Sequence, residues 1–147
     1  LLPIVLSVLC GTAVAASSAI LSVSWLGGST ASIVSLAPKS TTTPVAMAIA
    51  EQMNGLPALA AVAVIVTGIL GAVCGLTIMS RLGFKDHAIQ GIALGIAAHG
   101  IGTARALQVD HTLGAYAGLA MGVSALSTAL LAPFLWYVLQ PLLLTSG

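Results

Sequence analysis

Four of the chain's seven charged side chains, Lys39, Glu51, Arg105 and Asp110, flank or occupy two short polar breaks in otherwise apolar sequence. The first break is Pro38-Lys39-Ser40-Thr41-Thr42-Thr43-Pro44, an ammonium followed by four consecutive hydroxyls. The second is His99-Gly100-Ile101-Gly102-Thr103, continued by Ala104 and Arg105. Cations, hydroxyls and freed backbone N–H groups supply donors, and a small carboxylate or a similar anion is the ligand that accepts from such a set. The segments starting at Pro44 and Ala104 turn helix N-termini toward the breaks and add partial positive charge. The expected binding set is therefore Lys39, Ser40, Thr41, Thr42, Thr43, His99, Gly100, Gly102, Thr103 and Arg105. Glu51 and Asp110 are the candidates for proton or cation coupling.

Each residue also has a structural reading. Lys39 can snorkel to a headgroup; a Lys or Arg kept at mid-bilayer costs roughly 2.5–3.5 kcal/mol and needs a reason to be there. Arg105 can pair with Asp110 or Glu51, His99 can cap a helix end, and Glu51 and Asp110 can be solvated. The hydroxyl run can satisfy the backbone that Pro44 disturbs, with Thr43 as helix N-cap. One proline does not require four hydroxyls.

The elements that position these residues follow from where charge is missing. Only 5% of the 147 residues are charged and 59% are apolar, against roughly 25% charged in a soluble domain. Such a chain cannot coat a soluble surface, and it is too apolar to be disordered. Charge-free runs give three membrane-spanning helices, at about 1–25, 56–80 and 113–139, each near the 20 residues a bilayer requires. Between them lie broken segments at 31–52 and 88–110, whose arms are about half a bilayer long. Arg81 to His87 is a charged loop that the positive-inside rule would put in the cytoplasm. Glycines at 68, 71 and 75, at 91 and 95, and at 114, 118 and 122 mark close helix packing. Cys10 and Cys74 are expected as small buried hydrophobes, neither paired nor metal-bound. A net charge of +1 offers no basic patch for nucleic acid. The three histidines lack metal-ligand spacing, and no G-x-S-x-G elbow is present, so no metal, cofactor or enzymatic activity is expected.

An offset of 60 residues places Lys39 on His99, Ser40 on Gly100, Thr43 on Thr103 and Ala46 on Ala106. If each broken segment is a re-entrant hairpin, each repeat unit crosses once and the two copies are inverted, a common transporter plan. The fold class expected is thus all-α: a polytopic membrane protein with two interrupted, re-entrant helices in an inverted repeat. It forms a single domain over 1–147 whose N-terminal part is incomplete, since the sequence begins without Met.

The strings Pro38 to Met47, Leu56 to Gly71 and Ala97 to Ala106 resemble the LrgB family, which includes LrgB, CidB and a plastid glycolate/glycerate translocator. The resemblance runs from about Ala31 to Phe134, the C-terminal part of the family domain. It implies a multi-pass protein of the bacterial cytoplasmic membrane, or less readily of the plastid inner envelope. The function it implies is transport of small monocarboxylates such as glycolate, glycerate, pyruvate or lactate. The alternative it implies is an antiholin-like regulator of murein hydrolases and lysis that acts with a small LrgA/CidA-like, holin-like partner. Partners expected are lipid, the carboxylate and a second copy of the chain in a dimer. The family pattern commonly has Val where Thr41 stands.

Overall fold

The computed structural model describes residues 2–144; Leu1 and residues 145–147 of the expected domain lie outside the described residues. Six helices follow one another: α1 (Leu2–Trp25), α2 (Thr30–Leu36), α3 (Thr43–Gln52), α4 (Pro57–Arg81), α5 (His87–Val109) and α6 (His111–Leu144). Among the described residues the architecture is all-α, and α1, α4 and α6 are the three helices long and apolar enough to cross a membrane. Three spans of this kind make the chain a multi-pass membrane protein.

Local chemistry sets the boundaries. Past Trp25, Gly27 takes a positive φ of 74°, and Ser29 then caps α2 by accepting from the Ser32 N–H. Pro38 has no N–H to continue α2, so the helix stops before it. Pro44 and Pro57 sit in the first turns of α3 and α4, where a missing N–H costs nothing. Asp86 caps α5 through the Ala88 and Ile89 N–H groups. The α6 helix runs on through Pro133 and Pro141, further than the expected end near 139.

Packing register gives the direction of each helix. Thr12 on α1 meets Ser124 on α6, and further along Ile20 and Val23 share a cluster with Leu135, Trp136 and Leu139, so α1 and α6 run parallel. On α5, Gly91 packs against Leu113 to Ala117 and Gly95 against Ala117 and Ala120, so this first arm also runs parallel to α6. It runs antiparallel to α4: Gln90 reaches Ser80, Leu94 faces Gly75 and Ala98 faces Gly71. The three long helices therefore alternate in direction. Each broken segment leaves and returns at one end of the frame, and the two do so at opposite ends.

The second segment shows the reversal directly. Beyond His99, Thr103 returns to Gly118 and Met121, and Leu107 returns to Gly114. The first residue of α5 then lies beside the residue that ends it, with His87 Nδ1 3.1 Å from an Asp110 oxygen. A straight helix of this length would hold its ends about 34 Å apart.

Small residues make these approaches. Eleven of the buried core residues are alanines, whereas Val62, Ile65, Val66, Ile69, Leu70 and Val73 on α4 point outward. Lipid is as apolar as leucine, so helices gain by backbone proximity rather than by hiding large side chains. Cys10 and Cys74 are unpaired but lie on the exposed surface, contrary to expectation. The frame buries mostly alanine and glycine, with larger side chains such as Ile20, Leu94 and Leu113 filling the rest of the interior. Gly68, Gly71, Gly75, Gly91, Gly95 and Gly114 stand at close contacts, but nothing lies within 4 Å of a Cβ added at Gly122.

Gly95 and Gly122 therefore respond oppositely to substitution. A side chain at Gly95 overlaps the Ala117 carbonyl, and Gly95→Val is expected to cost about 1–3 kcal/mol. Gly122→Ala is expected to be neutral or to stabilise by up to about 1 kcal/mol through helix propensity. Thermal unfolding of the two variants in detergent micelles measures both.

Candidate functional site

The two breaks meet at mid-height of the frame. From Ala37 to Thr42 the chain is non-helical, and Ser124 Oγ on α6 donates to the Ser40 carbonyl at 3.5 Å. Thr12 Oγ1, midway along α1, lies 3.2 Å from the same Ser124 hydroxyl. One turn earlier on α6, Met121 Sδ receives the Thr103 hydroxyl at 3.8 Å and is the atom nearest to a Cβ built on Gly100. The His99 imidazole lies against the backbone of Lys39. Residues 39 and 99, paired by the 60-residue offset, are thus neighbours in space.

The breaks differ in form. Unwinding across His99 to Thr103 was expected, but only His99 departs from helical geometry, with φ 38° and ψ −127°. Glycine ordinarily fills this conformation, at the first central position of a type II′ turn. One residue in it reverses the chain, and Gly100 to Thr103 return at once to helix. Gly102 serves that sharp return: a Cβ there would stand 2.5 Å from Ala98 Cβ and 3.0 Å from the Leu94 carbonyl. In the first break Thr42, not Thr43, is the N-cap of α3, and its side chain makes no capping bond.

Ser40, Thr41, His99 and Thr103 are buried, and Lys39, Thr42 and Thr43 are partly buried. Lys39 Nζ reaches Ser40 Oγ at 3.5 Å. Three buried polar atoms among the described residues have no hydrogen-bond partner: Thr41 Oγ1, His99 Nε2 and Thr128 Oγ1. A buried donor without a partner costs about 1–3 kcal/mol, so each of these atoms calls for a reason.

The remaining charged candidates lie elsewhere. Glu51 is exposed at the end of α3, and Arg105 is exposed on the second arm of α5, with no ion pair among the described residues. Asp110 joins the ends of the α5 hairpin and caps α6, accepting from the Leu113 N–H at 3.0 Å. That N–H first, and His87 after it, hold the Asp110 carboxyl below the usual carboxylate range, against a smaller opposing effect of burial.

Sequence reasoning missed Thr12, Ser124 and Thr128, all buried, of which Thr12 and Ser124 lie in the seam where α1 and α6 meet the first break. Ser124 and Thr128 stand one turn apart on one helix face, which is a usable signal. It was masked because Ser and Thr are scattered along these spans.

A model of the LrgB-like family matches residues 1–138. The chain belongs to the LrgB-like family. This LrgB-like chain is 38% identical over 132 residues to the uncharacterized protein YwbG of Bacillus subtilis, covering 90% of the chain and 59% of that protein. It is 32% identical over 109 residues to the holin-like protein CidB of Staphylococcus epidermidis, covering 74% of the chain and 48% of CidB. An uncharacterized protein of Haemophilus influenzae is 31% identical over 111 residues, covering 76% of the chain and 48% of that protein. The LrgB-like chain spans about half the length of the curated relatives it matches. No solved structure matches it.

The backbone at His99 supplies a test of the site's construction. At an ordinary helix position glycine is less stable than alanine by about 1 kcal/mol. Here the conformation itself costs a non-glycine residue about 1–3 kcal/mol. His99→Gly is therefore expected to be more stable than His99→Ala, reversing the usual order, as read from their unfolding midpoints.

Proposed function

We propose that this chain forms the anion site of a secondary carrier for small monocarboxylates of the glycolate, glycerate, pyruvate and lactate class, set in the bacterial cytoplasmic membrane. The observation that carries the reading is the meeting of two helix breaks at mid-height, where Thr41 Oγ1 and His99 Nε2 are buried without partners and Lys39 reaches Ser40 Oγ. Hydroxyls of Ser40 and Thr41, the His99 ring and Lys39 would bind the carboxylate and replace the water it loses. The first turn of α3, whose N-cap side chain leaves its N–H groups free, adds partial positive charge from the first break. Both segments enter the membrane as re-entrant hairpins from opposite faces, so small rearrangements of either hairpin open the site to one side. The basic end, with Arg81 and Lys85, faces the cytoplasm.

A second reading has one observation in its favour: relatives at about 30% identity bear the name holin-like protein CidB. Under it the protein regulates murein hydrolysis and lysis by assembling with a small LrgA/CidA-like membrane partner. Regulation by assembly gives no role to polar atoms left unpaired inside the protomer, and the carrier does.

Uptake of labelled glycolate, pyruvate or lactate into liposomes holding the full-length protein separates the two. The carrier is expected to show saturable uptake, reduced at least tenfold by Lys39→Ala and unaffected by Lys85→Ala in the solvent loop. Absence of uptake, or indifference to Lys39→Ala, ends the carrier reading. Co-purification of a holin-like partner would then favour the regulator.

A further inference from the structure

The two carboxylates that the sequence nominates for coupling stand away from the breaks. Glu51 is exposed at the end of α3, and Asp110 is engaged at the mouth of the α5 hairpin by His87 and the Leu113 N–H. Two titratable groups remain where the breaks meet: Lys39 and His99. Lys39 has a partner in Ser40 Oγ. His99 is only 2% exposed, it is held in a conformation that disfavours any side chain, and its Nε2 has no partner. Strain of this kind persists where the surroundings over-determine it, and such places cluster at functional sites.

The surroundings of the ring define what it can do. Lys39, from the first break, is the charged group acting on it. From α4 the ring faces Gly68, whose missing side chain leaves room for it: a Cβ there would stand 3.1 Å from His99 Cε1. From α6, Met121 faces the adjacent Gly100 and Thr103 and brings no charge. With the site empty, a proton on His99 adds a second positive charge beside Lys39. With a carboxylate bound, the same proton gains an anionic acceptor within hydrogen-bond reach. The proton and the anion then raise each other's affinity by the same factor.

We propose that His99 is the proton carrier of this site: Nε2 takes up a proton as the carboxylate binds and gives it up as the carboxylate leaves. The proposal rests on the carboxylate reading above. A solvent proton joins Nε2 on the loading side, and the N–H then donates to a carboxylate oxygen. On the far side the N–H bond breaks and both ions return to water. One anion and one proton move together, no electrons are exchanged, and the transfer carries no net charge.

The test is nitrogen NMR of the full-length protein in lipid nanodiscs at pH 7, labelled with 15N at histidine and lysine, with glycolate as probe. The His99 signals are identified by their loss in His99→Gln, and the Lys39 signal by its loss in Lys39→Arg. The expected result is an Nε2 that is bare without glycolate and protonated with it, together with a shift at Lys39. A Lys39 shift with His99 Nε2 unchanged, whether bare or protonated throughout, overturns the proton assignment and leaves the carboxylate site standing. If glycolate moves neither signal, the carboxylate reading itself fails and the proton assignment falls with it.

Discussion

A polar group that leaves water for lipid must find its partner inside the protein, and this constraint governs most of the structure. Backbone N–H and C=O groups freed by a helix break lose several kcal/mol each if left facing hydrocarbon. The chain breaks helices in two places and shelters both among three long spans. The shelter needs close approach, and close approach needs small side chains, which is why alanine and glycine fill most of the interior. The α6 helix is the common wall: within one turn, Met121 receives the second break and Ser124 the first.

Many polar side chains at the turns and helix ends find partners. Ser35 accepts from the Leu56 N–H at 2.7 Å, and Gln90 closes the α4–α5 turn on the Phe84 carbonyl at the same distance. Asp86 and Asp110 cap the two helices that follow them. A protein able to satisfy these groups leaves Thr41 Oγ1 and His99 Nε2 without partners at the meeting of the breaks. Donors that are pre-placed and dry bind an anion without the cost of reorganising around it. The same economy explains the strained His99: a glycine would fold there more easily but would bring no imidazole to the junction.

Much of this was legible in the sequence because membranes demand long charge-free runs. The three spans and the two breaks follow from where polar residues interrupt apolar ones. The site itself was legible only in part. Lys39, Ser40, Thr41, His99 and Thr103 stand out because polar residues at a break are conspicuous, and the structure gathers them. Arg105 and Glu51 stand out as strongly, yet one helical turn decides which way a side chain faces, and both face outward. Thr12 and Ser124 were hidden for the converse reason, being unremarkable residues made important by partners more than 80 positions away. The extent of the second break was also misread, since glycines at 100 and 102 read as unwound chain but serve a tight reversal.

The central claim is that the two broken segments enter from opposite faces and meet in the middle. Sided labelling of single cysteines tests it most directly. The exposed native Cys10 and Cys74 are first replaced, and Ser29→Cys before the first hairpin is compared with Lys85→Cys before the second, using a membrane-impermeant thiol reagent on sealed vesicles. Labelling of the two positions from opposite sides is the result this structure predicts. Labelling of both from the same side would contradict the opposed hairpins, and with them the shared site.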